Sequence, residues 1–343
     1  MLNVAINGLG RIGRATLKIV LDNPGLRLTA VNDVLAADNL AYLLKFDTVY
    51  GRWTRDVHAH EKALHIDGKN YPVLGERDPA KLPWRQMGVD VVFECTGAFR
   101  EQDDLAKHIE AGARFVILSA PAKGEDVPTV IHAVNRLLRN PAQIISCASC
   151  TTNCITPVVE IMSRRIGVKK ATMTTIHAYT ANQSIVDSGK KDFRRGRAGA
   201  ANLVPASTGA AVATTRALPE FRGKFDGVAV RAPVPVGSLA DIVFVAARAT
   251  SVEEINRVFC EEAASERYRE VLAVTEEPIV SSDIIQQAYA SIVDLSMTQV
   301  VDQDLVKVMS WYDNEWGYAN QMVREALELS AAHSETERFE VSG

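Results

Sequence analysis

No stretch of this 343-residue chain approaches the roughly 18 consecutive apolar residues that a membrane-spanning helix requires, so insertion into a bilayer is not expected. Charge of one sign is also missing. Lys and Arg number 38 against 42 Asp and Glu, a net charge of −4 without a long run of either sign. That argues against nucleic acid or an anionic membrane as the primary partner. Cysteine is scarce, and three of the five sit together at 147, 150 and 154, too few and too clustered for a secreted disulfide scaffold. The first residues run straight into a glycine motif rather than a signal-peptide cleavage site, so a reducing, cytoplasmic compartment is expected. No internal repeat of fixed period is present.

What is present is 47% hydrophobic residues, enough to bury two cores of ordinary size. LNVAIN (2–7) reads as a strand, RIGRATLKIVLDN as a helix with Ile12, Thr16, Ile19 and Val20 on one face, and LRLTAVND (26–33) as a second strand. Strand, helix, strand within about thirty residues is the unit of a parallel sheet. The pattern continues through VDVVFECTG (89–97), EQDDLAKHIEAG, ARFVILSAP (113–121), a weak alternation at VPTVIHAVN, and QIISCAS (143–149). Residues 1–149 therefore read as a Rossmann-type, doubly wound α/β domain. After Cys150 the strand-like stretches lengthen, in KKATMTTIHAYT, GVAVRAPVPV, ADIVFVAARA and LVKVMSWYD, with helical patterns at SVEEINRVFCEEAASE and NQMVREALELSAA. This suggests an α+β domain with a large mixed sheet over 150–315.

Gly8, Gly10 and Gly13 have GxGxxG spacing between a predicted strand and helix, and Asp33 follows 20 residues after Gly13. That combination fits a dinucleotide whose pyrophosphate meets a helix N-terminus and whose ribose meets a carboxylate. A carboxylate there opposes a 2′-phosphate, which favours NAD over NADP.

The cysteine cluster admits several chemistries. A structural zinc site needs four ligands, and no second CxxC or HxxxH pair follows. A thioredoxin-like pair from Cys147 and Cys150 has the right spacing. A single nucleophile is the third reading: Cys150 begins what looks like a helix, flanked by Ser149, Thr151 and Thr152, and helix N-termini lower thiol pKa values. Among seven histidines, His177 lies where a strand emerges into a loop and is the candidate base. HAHEKALH (58–65) alternates like a hairpin with His58 and His60 on one face; a solvated hairpin is the plainer reading there than a metal site, and no metal is assigned.

NGLGRIGR, the ECTG turn, SAPAKGED, ASCTTNC, HAYT, PASTGAA and SWYDNEWGY together resemble the phosphorylating glyceraldehyde-3-phosphate dehydrogenases, in the family's order from Val4 to about Leu329. The resemblance implies oxidation of D-glyceraldehyde 3-phosphate, with inorganic phosphate, to 1,3-bisphosphoglycerate. Cys150 would be the nucleophile and His177 the base. It implies that Thr180 and Arg231 hold the substrate phosphate, and that Ser149, Thr151, Thr208 and Gly209, with Arg197, frame the attacking one. It assigns Arg11 and Ile12 to the pyrophosphate turn, Arg77 and Ser119 to cofactor-pocket contacts, and Asn314 to the nicotinamide carboxamide, with Tyr318 beside that ring. It further implies a homotetramer, with the basic run GKKDFRRGR at a subunit interface, and a C-terminal helix of about 316–333 that completes the first domain.

Three positions depart from the family's pattern. Ser188 and Gly189 follow Asp187 where NAD-dependent forms carry a bulky apolar residue and proline, so some NADP use is expected. PVPVGSLAD (233–241) differs from the commoner run, and Cys147 stands where Asn is usual. Cys147 reads as a small buried strand-end residue, with a resolving thiol for an oxidised Cys150 as the other reading; Cys154 reads as packing. An erythrose-4-phosphate dehydrogenase is the rival within the fold, and a nucleotide- or nucleic-acid-binding protein on the same fold the rival outside enzymology.

Overall fold

The structure, a computed structural model, describes residues 1–135 and 142–341, with side chains up to residue 329. It divides into two compact units. The first runs from Met1 to Val130, includes the strand that ends before Ala148, and takes in the chain from Ala319; the second holds Ile131–Asn135 and Ser149–Tyr318.

In the first unit, β1 (Leu2–Asn7) is followed by α1 (Arg11–Asp22), β2 (Leu26–Asn32) and α2 (Ala37–Lys45). A two-residue ribbon, β3 (Phe46–Asp47) with β4 (Gly51–Arg52), precedes an antiparallel meander of β5 (Val57–His60), β6 (Ala63–Ile66) and β7 (Lys69–Pro72). Then come β8 (Val91–Glu94), α3 (Gln102–Glu110), β9 (Phe115–Leu118) and β10 (Ile144–Ser146). The main sheet has the order β10-β9-β8-β1-β2, parallel throughout. Chain direction across the sheet reverses between β1 and β8, and a crevice opens beyond the carboxyl ends of strands at such a switch point. The weak alternation at VPTVIHAVN does not become a strand; only an isolated bridge joins Thr129 to Ser146. All four residues of β8 and of β9 are buried, as expected of parallel strands covered on both faces.

A buried polar chain underlies that crevice. Trp84 Nε1, a donor only, hydrogen-bonds to His108 Nδ1 at 3.0 Å, so His108 carries its proton on Nε2 and faces Glu94 Oε2 at 3.2 Å. Glu94 also accepts from Asn7 Nδ2 at 2.5 Å and from the Thr96 amide at 2.8 Å, and Asn7 Oδ1 accepts from Asn32 Nδ2 at 2.7 Å. The ends of β1, β2 and β8 are thus tied to one fully buried carboxylate, which is tolerable only because every oxygen is partnered.

The second unit begins with α4 (Cys150–Arg165) and β11 (Val168–Ala178), then β12 (Val204–Ser207), α5 (Ala210–Ala217), β13 (Phe225–Ala232), β14 (Ser238–Ala246), α6 (Val252–Ala263), β15 (Leu272–Thr275), β16 (Ser291–Val301) and β17 (Leu305–Tyr312). Its seven-stranded mixed sheet has the order β12-β13-β11-β14-β17-β16-β15. Burial in β14 alternates at every residue, the period-2 signature of a sheet with one packed face. Ile242 and Phe244 on that face join Ile155, Val158 and Met162 of α4 and Ile255 and Phe259 of α6 in one core. α7 (Trp316–Val341) closes the chain and runs past the expected end near 333. The doubly wound parallel sheet and the mixed α/β second unit are those read from the sequence. No helix among the described residues is long and apolar enough to cross a membrane.

Replacing Trp84 by Phe removes the donor to His108 Nδ1 inside a sealed site, and we expect a loss of about 1–3 kcal/mol in chemical denaturation. Unchanged stability would show that the buried chain is not held as described.

Candidate active site

Ser149 caps α4: its hydroxyl accepts the Thr152 amide at 3.1 Å and lies 2.8 Å from Thr152 Oγ1. Capping fixes where the first helical residue sits, and that residue is Cys150. Its Sγ lies 3.4 Å from His177 Nε2 at the end of β11. Parallel pairing of β11 with β13 sets Arg231 directly beside His177, with Nη1 2.6 Å from His177 Nδ1 and 3.2 Å from the Ala178 carbonyl oxygen.

His177 Nδ1 is also 2.7 Å from the Ala178 carbonyl. The carbonyl calls for an N–H on that nitrogen and the guanidinium for a lone pair, so one of the two contacts is frustrated. A protonated Nδ1 leaves Nε2 free to accept the thiol proton. Burial first, and Arg231 second, push His177 down to about 3. Burial pushes the Cys150 thiol up to about 11, against the pull of Arg231 and of the first backbone N–H groups of α4. The helix N-terminus therefore acts on the thiol as the sequence suggests, but burial outweighs it, and each group alone is held neutral. Proton transfer from sulfur to nitrogen creates two opposite charges 3.4 Å apart, whose attraction offsets the cost of burying either one. Cys150 keeps part of its surface exposed, so a substrate can reach the sulfur.

Tyr312, at the end of β17, stiffens this centre. Its hydroxyl lies 2.8 Å from both Thr151 Oγ1 and Thr175 Oγ1, and its ring meets the His177 ring edge-on with centres 5.9 Å apart. Asn314 follows two residues later. The Gly237 amide donates to its Oδ1 at 3.1 Å, so the Asn314 NH2 is left to donate elsewhere. Ser238 Oγ accepts from the Ala178 amide at 3.1 Å and donates to Asn314 Oδ1 at 3.0 Å, linking the His177 strand end to Asn314.

A cleft of about 570 Å³ lies beside this centre, lined by Lys190, Lys191, Arg195, Thr208, Gly209 and Arg231, with Asp192 among others. Two polar atoms nearby, Thr180 Oγ1 and Arg231 Nε, are buried without a hydrogen-bond partner among the described residues. Orphaned donors of this kind suit a phosphate. Thr208 Oγ1 accepts the Ala210 amide at 3.2 Å and Gly209 caps α5.

In the first unit the crevice holds about 360 Å³ and is lined by Gly8, Gly10, Asp33, Arg77 and Thr96 among others. Gly8 has φ +91°, and a Cβ there would come within 2.8 Å of the Thr96 nitrogen. A Cβ on Gly13 would sit 1.9 Å from the Gly8 oxygen, whereas one on Gly10 would meet nothing within 4 Å and would project into open space. Thus Gly8 and Gly13 serve the tight turn and the helix–strand contact, and Gly10 keeps a path clear for a ligand. α1 has neither a side-chain cap nor an acidic residue in its first turn, which leaves its N-terminus suited to pyrophosphate. The two Asp33 oxygens accept the Leu9 and Leu35 amides at 2.6 and 2.8 Å. These residues fit a dinucleotide.

Two sequence profiles match the chain. The one described as "Glyceraldehyde 3-phosphate dehydrogenase, NAD binding domain" covers residues 2–102, and "Glyceraldehyde 3-phosphate dehydrogenase, C-terminal domain" covers 149–314. Curated glyceraldehyde-3-phosphate dehydrogenases are similar over nearly full length. That of Clostridium pasteurianum is 45% identical over 94% of this chain and 97% of its own, and that of Streptomyces coelicolor 44% over 94% and 96%. The Geobacillus stearothermophilus protein is 44% identical over 93% and 96%. The chain belongs to the glyceraldehyde-3-phosphate dehydrogenase family.

Within this family frame some sequence assignments need revision. Arg197 does not line the cleft of Thr208 and Gly209. Its side chain is 61% exposed and binds Asp187 at 2.8 Å, because a 3-10 turn over Arg194–Gly196 swings the chain round between them. Arg195 takes the place expected of Arg197, reaching the Ser207 carbonyl at 3.2 Å. The Arg11 side chain is turned to Asp47 at 2.5 Å and stacks over Tyr50, so with Ile12 it can offer only backbone N–H groups to a pyrophosphate. Thr151 spends its hydroxyl on Tyr312 and Ser149 on the helix cap. Ser119 hydrogen-bonds Cys95 and lies outside the crevice lining. Tyr318 is buried, as are Cys147 and Cys154. Arg195, Ser238 and Tyr312 were not singled out from the sequence; strand alternation in LVKVMSWY would have put Tyr312 on the packed face, but nothing local marks the other two.

Arg231→Gln removes a cation that lowers the Cys150 pKa, so the rate of thiol alkylation by iodoacetamide at pH 7 should fall by about 3- to 10-fold, half to one pKa unit. An unaltered pH profile would exclude that electrostatic link.

Proposed function

We propose that the protein catalyses the phosphorylating oxidation of D-glyceraldehyde 3-phosphate to 1,3-bisphosphoglycerate. The observation that carries this reading is the Cys150 sulfur at a capped helix start, 3.4 Å from His177, with the unpartnered Arg231 Nε and Thr180 hydroxyl close by. His177 Nε2 takes the thiol proton as Sγ bonds to the aldehyde carbon, and returns it to the oxygen to give a thiohemiacetal. Oxidation of that carbon calls for a hydride acceptor, which NAD held by the first unit would supply. His177 removes the hydroxyl proton in the same step, leaving a thioester on Cys150. A phosphate oxygen then attacks the acyl carbon, the C–S bond breaks, and the proton on His177 returns to sulfur.

Thr180 and Arg231 hold the substrate phosphate in this reading. Thr208, Gly209 and Arg195 frame the attacking phosphate, with Ser149 and Thr151 shaping the helix start beneath it. Asp33, the Gly8–Gly13 turn and Arg77 hold NAD, and Asn314 Nδ2 donates to the carboxamide. Asp33 disfavours a 2′-phosphate while Ser188 offers a hydroxyl, so NAD is preferred with measurable NADP use. A cytoplasmic homotetramer is the working assembly. The outward face of the second unit's sheet, including Val228 and Leu305, and the loop residues Ile185, Val186 and Phe193 are exposed and apolar, as surfaces awaiting other subunits would be.

NADH formation from glyceraldehyde 3-phosphate should require phosphate or arsenate, and Cys150→Ser should abolish it while NAD still binds. Turnover that ignores phosphate would sink the assignment and favour a hydrolytic aldehyde dehydrogenase. Arg195→Leu should raise KM for phosphate at least about tenfold, the loss of one charge-assisted contact, and Arg197→Leu by less than about twofold. The reverse order would restore Arg197 to the site.

A further inference from the structure

The outward face of the β5-β6-β7 meander carries a feature that the dehydrogenase chemistry does not use. Val57, Leu64 and Ile66 are buried on one side of this small sheet, which sends His58, His60 and His65 to the other. His58 and His65 are direct cross-strand partners, and His60 lies two residues along β5. The ring centres of His58 and His65 are 5.0 Å apart and those of His60 and His65 5.7 Å.

These spacings have a chemical meaning. With a Zn–N bond of about 2.0–2.1 Å, a metal lies roughly 3.2 Å from each imidazole centre, and tetrahedral angles then put the centres roughly 5.2 Å apart. His58 and His65 are stacked in this structure, with 19° between planes. As they stand the three side chains do not bring their nitrogens together, so the rings must turn edge-on to share an ion, for which His58, 56% exposed, has room. His58 Nδ1 lies 3.6 Å from Asp56 Oδ2. Shortened to hydrogen-bond length, that contact would direct the other nitrogen, Nε2, towards a metal.

We propose that His58, His60 and His65 form a three-imidazole site for a borderline divalent transition-metal ion of the Zn2+ or Cu2+ class, with water in the remaining position and Asp56 orienting His58. The site belongs to the first unit and takes no part in the reaction above.

Calorimetric titration of the chelator-stripped, full-length protein with Zn2+ tests it. Wild type should bind one more ion per chain than His65→Gln. Asp56→Asn should keep that ion with about tenfold weaker affinity, the usual effect of losing a carboxylate behind a histidine ligand. His60→Gln provides a second exposed substitution. All three variants should retain wild-type dehydrogenase activity without added metal. Equal Zn2+ stoichiometry and affinity in wild type, His65→Gln and His60→Gln would overturn the proposal.

Discussion

The parallel pairing of β11 with β13 puts a histidine and an arginine shoulder to shoulder at the mouth of the second unit's sheet, and much of the chemistry depends on that contact. Arg231 lies 2.6 Å from His177 Nδ1, close enough to influence the tautomer, to keep the imidazole neutral and to favour a thiolate on Cys150. The same guanidinium leaves Nε unpartnered in a buried place. One residue thus lowers the pKa of both the Cys150 thiol and the His177 imidazole while holding a buried donor that meets no partner among the described residues.

Such a centre works only if its parts hold still. Tyr312 is clamped between two threonines, Ser149 caps the helix that begins with Cys150, and Asn314 is fixed by the Gly237 amide and by Ser238. Two hydroxyls that family resemblance assigns to a phosphate, those of Ser149 and Thr151, are here committed to holding the frame. The cations Arg195 and Arg231 line the cleft beside them, Arg195 paired with Asp192 at 3.2 Å. In the first unit, Glu94 plays the corresponding part. Its buried carboxylate ties strand ends whose glycine turn must come within van der Waals distance of a neighbouring backbone.

Much of this was legible in the chain. LNVAIN is β1 residue for residue, and in the GxGxxG turn Gly8 and Gly13 leave no room for a Cβ while Gly10 faces open space. Cys150 at a helix start and His177 at a strand end follow from local pattern alone. Less legible were features set by path rather than pattern. Arg195 and Arg197 are two residues apart in a basic run, and only the 3-10 turn decides which faces the cleft. His65 belongs with His58 and His60 only because β6 folds back in one register.

Most elements, the family and the placing of Cys150 at a helix start and His177 at a strand end can be read along the chain, because backbone sterics and hydrophobic periodicity act over a few residues. Tertiary structure alone decided which polar atoms meet. Cys150 and His177 are 27 residues apart in the chain, His177 and Arg231 54, and Thr151 and Tyr312 161. Hydrogen bonding and charge act over a few ångströms of space, and only strand register and burial bring such groups within that range.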